Sequence, residues 1–271
     1  MLGIDFDRYV VEDAIGAGGF GVVYAARDAS GCEVAIKVLR RRYARNEEAV
    51  ARFLLEARIL QRINDPSVVA VHHIARPDEA RPYFVMERLH GRTLGDVLRV
   101  DRRLLLEIAM PLLRGIASAV DAIHRNGVVH RDIKPDNVFI SRDGSVKLID
   151  FGLACIASDT APTDAEPISG TPLYMSPEQC RGDSTGLETD LYGFGALAYH
   201  VLIGEPPFRG DPLALALQHL NATPVAPSRR HRSLDAGVDA ILLSLLAKDP
   251  SLRPRPLVPL LDSLAQQLRG T

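Results

Sequence analysis

The sequence predicts an α+β fold of two unequal lobes: a small antiparallel β-sheet lobe carrying one helix, then a larger, mainly α lobe. Three observations predict it. Up to about Val85 the chain alternates short β-branched and aromatic runs with turn residues. After Gly91 the apolar residues recur at helical spacing over long stretches. The 271 residues are 46% hydrophobic and 24% charged, with no internal repeat, which is the composition of an ordinary folded chain with a sizeable core.

The strands expected in order are Tyr9 to Ile15, Val22 to Ala26, Glu33 to Leu39, Val68 to Ile74 and Tyr83 to Met86, with a Gly-rich turn between the first two. One helix interrupts them. From Glu47 to Ile63, the residues Val50, Phe53, Leu54, Ala57, Leu60 and Ile63 fall on one face, and Asn64-Asp65-Pro66 ends the run. The expected domain covers 9–271, divided into lobes 9–89 and 90–271 at a hinge near Leu89 to Arg92. Beyond it, helices are expected at Leu104 to Asn126, Leu187 to Ile203, Leu213 to Asn221, Val238 to Leu246 and Pro256 to Leu268. A strand-and-loop region, Val128 to Ile149, and a polar loop, Ala157 to Ser169, separate the first two of these.

The net charge of −2 excludes a global attraction to nucleic acid or an anionic membrane, so binding must be local and no nucleic-acid partner is expected. The apolar run Leu191 to Gly204 is shorter than the 18 or so residues of a membrane span and reads as a buried helix. The N-terminus shows no signal-peptide pattern and no membrane span is expected. Three widely spaced cysteines, Cys32, Cys155 and Cys180, suit neither a metal site nor a secreted disulfide framework, so the expected location is the cytoplasm.

Gly16-Ala17-Gly18-Gly19-Phe20-Gly21 fits G-x-G-x-x-G, in which bare backbone N–H groups can approach phosphate oxygens. A dinucleotide-binding βαβ unit would need a helix next, whereas Val22-Val23-Tyr24-Ala25-Ala26 reads as a strand. A plain glycine hairpin is the alternative for that motif taken alone. Only four of the 32 basic residues are lysines, so each lysine at a demanding place invites a reason. One is Lys37 of Val34-Ala35-Ile36-Lys37, on a strand next to the glycine turn. Glu56 stands on the otherwise apolar face of the expected helix, where a carboxylate is costly unless paired, and Lys37 is the expected partner.

His130-Arg131-Asp132-Ile133-Lys134-Pro135-Asp136-Asn137 followed by Asp150-Phe151-Gly152 completes a set. Together with the glycine turn, Lys37 and Glu56, in that order, it resembles the catalytic machinery of eukaryotic-type protein kinases. The resemblance runs from about Tyr9 to Leu268. Through Gly170-Thr171-Pro172-Leu173-Tyr174-Met175-Ser176-Pro177-Glu178-Gln179 and Gly204-Glu205-Pro206-Pro207-Phe208, it is closest to bacterial Ser/Thr kinases related to the mycobacterial Pkn group.

The resemblance implies transfer of the γ-phosphoryl group of ATP to Ser or Thr hydroxyls of protein substrates, with Mg²⁺ as cofactor. Asp132 would accept the acceptor proton, and Lys134 would neutralise charge on the transferred group. Thr171 would hydrogen-bond Asp132 or Lys134, Asn137 and Asp150 would be the metal ligands, and Lys37, set by Glu56, would hold phosphate. Nucleotide would be bound by Ile15, Gly16, Ala17, Gly18, Gly19, Phe20, Gly21, Val23, Ala35, Met86, Glu87, Leu89 and Phe139. His130 would pack with Leu60, Val71 and Phe151, Asp190 would anchor the catalytic loop, and Glu178 would pair with Arg253.

Arg131 before Asp132 resembles the arrangement that in the family accompanies control by activation-loop phosphorylation, and the resemblance implies Thr160, Thr163 or Ser169 as the site, with Thr163 first by position. Transient pairing of two copies for trans-autophosphorylation is the implied self-association. The chain departs from its relatives at Gly186-Leu187-Glu188-Thr189-Asp190, where Glu188 replaces an arginine. A pseudokinase and a small-molecule kinase are the rival readings. The intact set Lys37, Glu56, Asp132, Asn137, Asp150 weighs against the first, and the Gly170 to Glu178 segment against the second.

Overall fold

Period-two alternation of apolar residues gives the first third of the chain its strands. The structure, a computed structural model, describes residues 8–18, 20–75, 81–101, 103–156 and 172–269. Strands β1 (Tyr9–Ala17), β2 (Gly21–Asp28), β3 (Glu33–Leu39), β4 (Val71–Ile74) and β5 (Tyr83–Glu87) form one antiparallel sheet in the order β1-β2-β3-β5-β4. The central strand β3 buries Val34, Ala35, Ile36, Val38 and Leu39, so a side chain it projects has a well-fixed root. Helix α1 (Glu47–Arg62) starts where the Asn46 side chain accepts the Ala49 N–H, with Glu47 and Glu48 at its positive end. It packs Phe53 onto Phe84 of β5, ring centroids 5.1 Å apart.

The strand expected from Val68 begins instead at Val71. Ser67 N–H folds back on Asp65 Oδ1, while Leu148 N–H donates to Ser67 O (2.8 Å) and Val69 N–H to Leu148 O (3.3 Å). The backbone of this stretch is therefore committed to Leu148, outside the five-stranded sheet.

Beyond β5 come β6 (Gly91–Thr93), β7 (Val128–Val129), β8 (Val138–Ser141), β9 (Val146–Leu148) and β10 (Cys155–Ile156), which form a three-stranded sheet β6-β8-β9 and a β7-β10 pair. The helices are α2 (Leu94–Asp101), α3 (Leu106–Arg125), α4 (Pro177–Arg181), α5 (Leu187–Ile203), α6 (Pro212–Asn221), α7 (Pro227–Arg230), α8 (Ala236–Leu245) and α9 (Leu257–Arg269). No helix among the described residues is long and apolar enough to cross a membrane.

The sequence reading did not anticipate α2. Its start is a reciprocal cap: Thr93 N–H and Oγ1 donate to Asp96 Oδ2, and Asp96 N–H returns to Thr93 Oγ1 (3.0 Å). Gly95 lets this helix lie against the loop that follows Lys134, since a Cβ there would fall 2.4 Å from Asp136 Oδ1.

Helix α5 is apolar on nearly all sides and buried, with Leu191, Tyr192, Phe194, Leu197 and Tyr199 almost wholly inaccessible. Gly193 on it admits the catalytic-loop residue Ile133, whose Cβ would be 3.1 Å from an added Cβ. At its N-terminal end lies the one fully buried bidentate ion pair among the described residues: Arg253 Nη1 and Nη2 reach Glu178 Oε1 and Oε2 at 2.7 and 2.8 Å. The guanidinium is completed by Ala247 O and Glu188 O, and Thr189 Oγ1 donates to Glu178 Oε1.

Burial raises the Glu178 carboxyl, but its hydrogen bonds and charge pairing with Arg253 win and hold it below the usual glutamate value of 4.5. A folded-state value below the unfolded one means that the pair's contribution is present above about pH 4.5 and is lost as pH falls through the lower value. Arg253→Ala strands a buried carboxylate and is expected to cost about 3–5 kcal/mol in urea unfolding at pH 7. That cost should shrink at pH 4, where Glu178 can take up a proton instead; a cost independent of pH would show that charge is not its source.

Candidate active site

Lys37 sits on central β3, opposite Val23 of β2 and Phe84 of β5, with Nζ 5.8 Å from the Phe84 ring centroid. Its ammonium reaches Glu56 Oε1 of α1 at 2.6 Å and Asp150 Oδ1 at 3.1 Å, so sheet, helix and the turn after β9 meet at one charge. Burial disfavours a charged lysine here, yet the two carboxylates outweigh it and raise Lys37 above the ordinary lysine range. Burial pushes Glu56 up against the pull of Lys37, and Asp150 adds to that rise. For Asp150 burial is overcome by Lys37, with His130 and Lys134 assisting, and its carboxyl is held low and ionised. Asp150 takes a left-handed backbone, φ 61°, costly for a non-glycine residue and a mark of a constrained turn.

The second cluster lies on the loop from His130 to Asn137. Asp132 Oδ2 accepts Lys134 Nζ at 2.7 Å and Asn137 Nδ2 at 2.8 Å, while the same Nδ2 donates to Asp132 O at 2.9 Å. This loop is hung from α5 by Asp190, which accepts the backbone N–H of His130 and of Arg131 on its two oxygens, each at 2.8 Å, and His124 Nε2 at 2.9 Å. His130 is wholly buried, 4.5 Å from the Phe151 ring, with Nδ1 accepting the Asp132 N–H and Nε2 facing Ile149 O. It shares one continuous core with Leu60 and Val71 through Phe151. Its role is therefore packing and anchoring.

Three of the expected nucleotide residues, Val23, Ala35 and Met86, lie on one face of the five-stranded sheet. Ala35 stands opposite Met86, and Val23 opposite both Gly16 and Lys37, so their side chains share a face with the lysine. Ile15 is exposed. Leu89 is half-buried, and Phe139 of β8 pairs with Thr93 of β6. Glu87 differs from the expectation in one respect: its carboxylate accepts Ala70 N–H and Lys147 Nζ, both at 2.8 Å, and its own N–H donates to Ala70 O at 2.9 Å, so the side chain is engaged within the protein. Gly19, Thr171 and the candidate phosphorylation sites Thr160, Thr163 and Ser169 lie outside the described residues.

Three supporting contacts were not anticipated. Arg40 pins the glycine turn by donating Nε to Gly18 O at 3.0 Å and its N–H to Phe20 O at 2.8 Å. Gln179 Nε2 donates to Arg131 O at 2.7 Å, tying α4 to the catalytic loop. His124 braces Asp190. No spacing rule marks these residues, because each contact joins segments distant in sequence.

Residues 9–264 match the protein kinase domain family. The chain belongs to the protein kinase family. It is 40% identical over 253 residues to the serine/threonine-protein kinase PknB of Mycobacterium leprae, covering 91% of this chain and 41% of that protein. It is 41% identical over 253 residues to a protein of Streptomyces coelicolor named as a probable serine/threonine-protein kinase, covering 91% and 38%. The kinase domain of this chain thus spans about two fifths of the length of the curated relatives it matches.

In a protein kinase domain built this way, Asp190→Asn is expected to turn an amide N–H₂ toward the N–H of His130 or Arg131. One buried donor loses its acceptor, at a cost of about 1–3 kcal/mol. Hydrogen exchange at His130 and Arg131 should accelerate before exchange in α3 does; uniform acceleration would mean that Asp190 supports the lobe and not the loop.

Proposed function

We propose that this chain is a serine/threonine protein kinase that transfers the γ-phosphoryl group of ATP to Ser and Thr hydroxyls of protein substrates. One observation carries the reading: the Asp132 carboxylate is oriented by Lys134 and Asn137, and one lysine, Lys37, is held charged by two carboxylates. Phosphoryl transfer asks the protein for positioning and charge neutralisation more than for covalent chemistry.

Asp132 uses Oδ2 to hold Lys134 and Asn137, leaving Oδ1 to orient the acceptor hydroxyl and take its proton. Lys134 presents an ammonium 2.7 Å from that carboxylate, where negative charge on the group in transfer would gather. Lys37 holds the α- and β-phosphates, and Glu56 keeps it extended from β3. The turn Gly16 to Gly21 covers the phosphates with backbone, and Ile15, Val23, Ala35, Met86, Glu87, Leu89 and Phe139 enclose the base.

The family implies a divalent metal, and we assign Mg²⁺ to Asn137 and Asp150. The donor set fits: both protons of the Asn137 amide are spent on Asp132, so its carbonyl oxygen is the atom left for a cation, and Asp150 keeps one oxygen beside the one on Lys37. Two oxygen donors suit a hard cation that completes its shell with phosphate oxygens and water. Among the described residues no group of three or more His, Cys, Asp or Glu side chains could hold a metal ion. When bound, the ion supplies charge neutralisation and orientation of the phosphates.

Thr171 at the catalytic loop, control by phosphorylation at Thr160, Thr163 or Ser169, trans-autophosphorylation through transient pairing of two copies and the 89/90 lobe boundary belong to the same proposal. So does work in the cytoplasm, which three widely spaced cysteines, Cys32, Cys155 and Cys180, suit.

The test is incubation with labelled ATP and Mg²⁺, following label into the protein and into generic Ser/Thr peptides beside peptide-free and metabolite controls. Asp132→Ala and Lys37→Met should each lower transfer by about 10²–10³-fold or more, and chelation of Mg²⁺ should abolish it. Nucleotide binding without transfer would favour a pseudokinase, and label in metabolites alone a small-molecule kinase.

A further inference from the structure

The segment Pro172 to Met175 lies against the catalytic loop, and one contact that holds it there is not used by the chemistry above. Helix α5 brings the two together at Gly193: an added Cβ there would fall 3.1 Å from Ile133 Cβ, 3.2 Å from Ile133 O and 3.7 Å from Tyr174 O. Ile133 stands between Asp132 and Lys134, so the Tyr174 carbonyl adjoins the loop at its reacting residues, over a glycine with no side chain to part them. Downstream the segment is fixed by the start of α4, where Ser176 Oγ accepts the Gln179 N–H at 3.3 Å and Gln179 Oε1 accepts the Ser176 N–H at 3.0 Å. Within it, Met175 N–H turns back to Pro172 O at 3.4 Å.

The side chain of Tyr174 supplies the remaining hold. It carries the one hydroxyl of these four residues and packs against the cluster of Tyr192, Ala196, Tyr199 and Leu246. Its oxygen lies 2.7 Å from His200 Nδ1, and the two rings are stacked, centroids 6.1 Å apart and planes at 15°. His200 comes seven residues after Gly193, two turns along the same face of α5. One helix face therefore admits the Tyr174 carbonyl at one point and engages its hydroxyl at another. The backbone at His200 is itself fixed, since its carbonyl accepts the Gly204 N–H at 2.8 Å where α5 ends. Burial, and then the Arg209 charge, hold the imidazole below its usual value of 6.5, so it is neutral at physiological pH. Burial pushes the Tyr174 phenol above its usual range, so it keeps its proton and the contact is a neutral hydrogen bond.

We infer that His200 is a positioning residue for the acceptor peptide: its hydrogen bond to Tyr174 holds the segment Pro172 to Met175 against the catalytic loop at Ile133 and so sets the affinity for peptide. This rests on the kinase reading and on the Gly170 to Glu178 segment as the peptide-docking element. His200 is not among the nucleotide, metal or proton-accepting residues, so its effect belongs in the peptide KM.

Two substitutions separate the hydrogen bond from the ring stack. His200→Asn can place an amide near the Nδ1 position without a ring, and His200→Phe keeps a ring without a hydrogen-bonding atom. His200→Phe is expected to raise the acceptor-peptide KM about fivefold, the loss of one half-buried hydrogen bond, with kcat and ATP KM within about twofold of the parent. His200→Asn should stay within about twofold for all three constants. Tyr174→Phe removes the same bond from the other side and serves if His200→Phe does not fold. It should raise the peptide KM equally, and the double variant should add nothing to either. Equal behaviour of His200→Asn and His200→Phe, additive effects in the double variant, or a loss confined to kcat or ATP KM overturns the proposal.

Hydrogen exchange reads the hold without turnover. At Leu173 to Met175 it should quicken about fivefold in His200→Phe and Tyr174→Phe but not in His200→Asn, with exchange in α5 unchanged. Unaltered exchange in the segment, or acceleration that spreads through α5, refutes the role. A parent protein that transfers no phosphate to any peptide would sink the kinase reading, while the exchange result would still decide whether His200 holds the segment.

Discussion

A single carboxylate, that of Asp190, holds the loop that carries Asp132, Lys134 and Asn137. It is almost inaccessible to water and takes up the N–H groups of two successive residues, His130 and Arg131, which no strand or helix would otherwise satisfy. The backbone can therefore turn sharply, with Arg131 at φ 66°, while both of these N–H groups keep an acceptor. The support for Asp190 is α5, which is buried along nearly its whole length and is held at its N-terminal end by the Glu178–Arg253 pair. Precision at the reacting atoms thus comes from the most deeply packed helix of the molecule.

The β-sheet half is joined to this frame by charge. Lys37 has two carboxylate neighbours from different elements, Glu56 on α1 and Asp150 after β9, and only one of them lies on its own side of the cleft. The two carboxylates repel each other, and the cluster is tolerated because each of them has Lys37 as its partner. The arrangement also explains why Phe151 and His130 are packed with Leu60 of α1: a shift of the helix disturbs the aromatic stack and the ion pair together.

Much of this was legible in the residues. Lys37 and Glu56 could be paired on paper because a carboxylate on an apolar helix face needs a counter-charge, and the strands could be placed along the chain because their alternation and turns are local. What escaped was of two kinds. Helix α2 escaped although its Thr93-x-x-Asp96 cap is a readable start signal, because the eight residues that follow are too few for a convincing period. The early part of the Val68 to Ile74 run was misassigned for a deeper reason: its residues have strand character, but their backbone partner, Leu148, lies far away in the chain. The braces Arg40, Gln179 and His124 share that cause, since each is specified by tertiary proximity alone.

The linkage at Leu148 bears on how the two halves can move. The chain passes between them at Glu87 to Gly91, and a single covalent crossing would act as a swivel, free to twist as well as to bend. Ser67 and Val69 add a second attachment through the Leu148 backbone, and the Lys147–Glu87 ion pair fastens the crossing to β9 beside it. Two attachments side by side make a door hinge: they leave opening and closing available and oppose rotation about the connection.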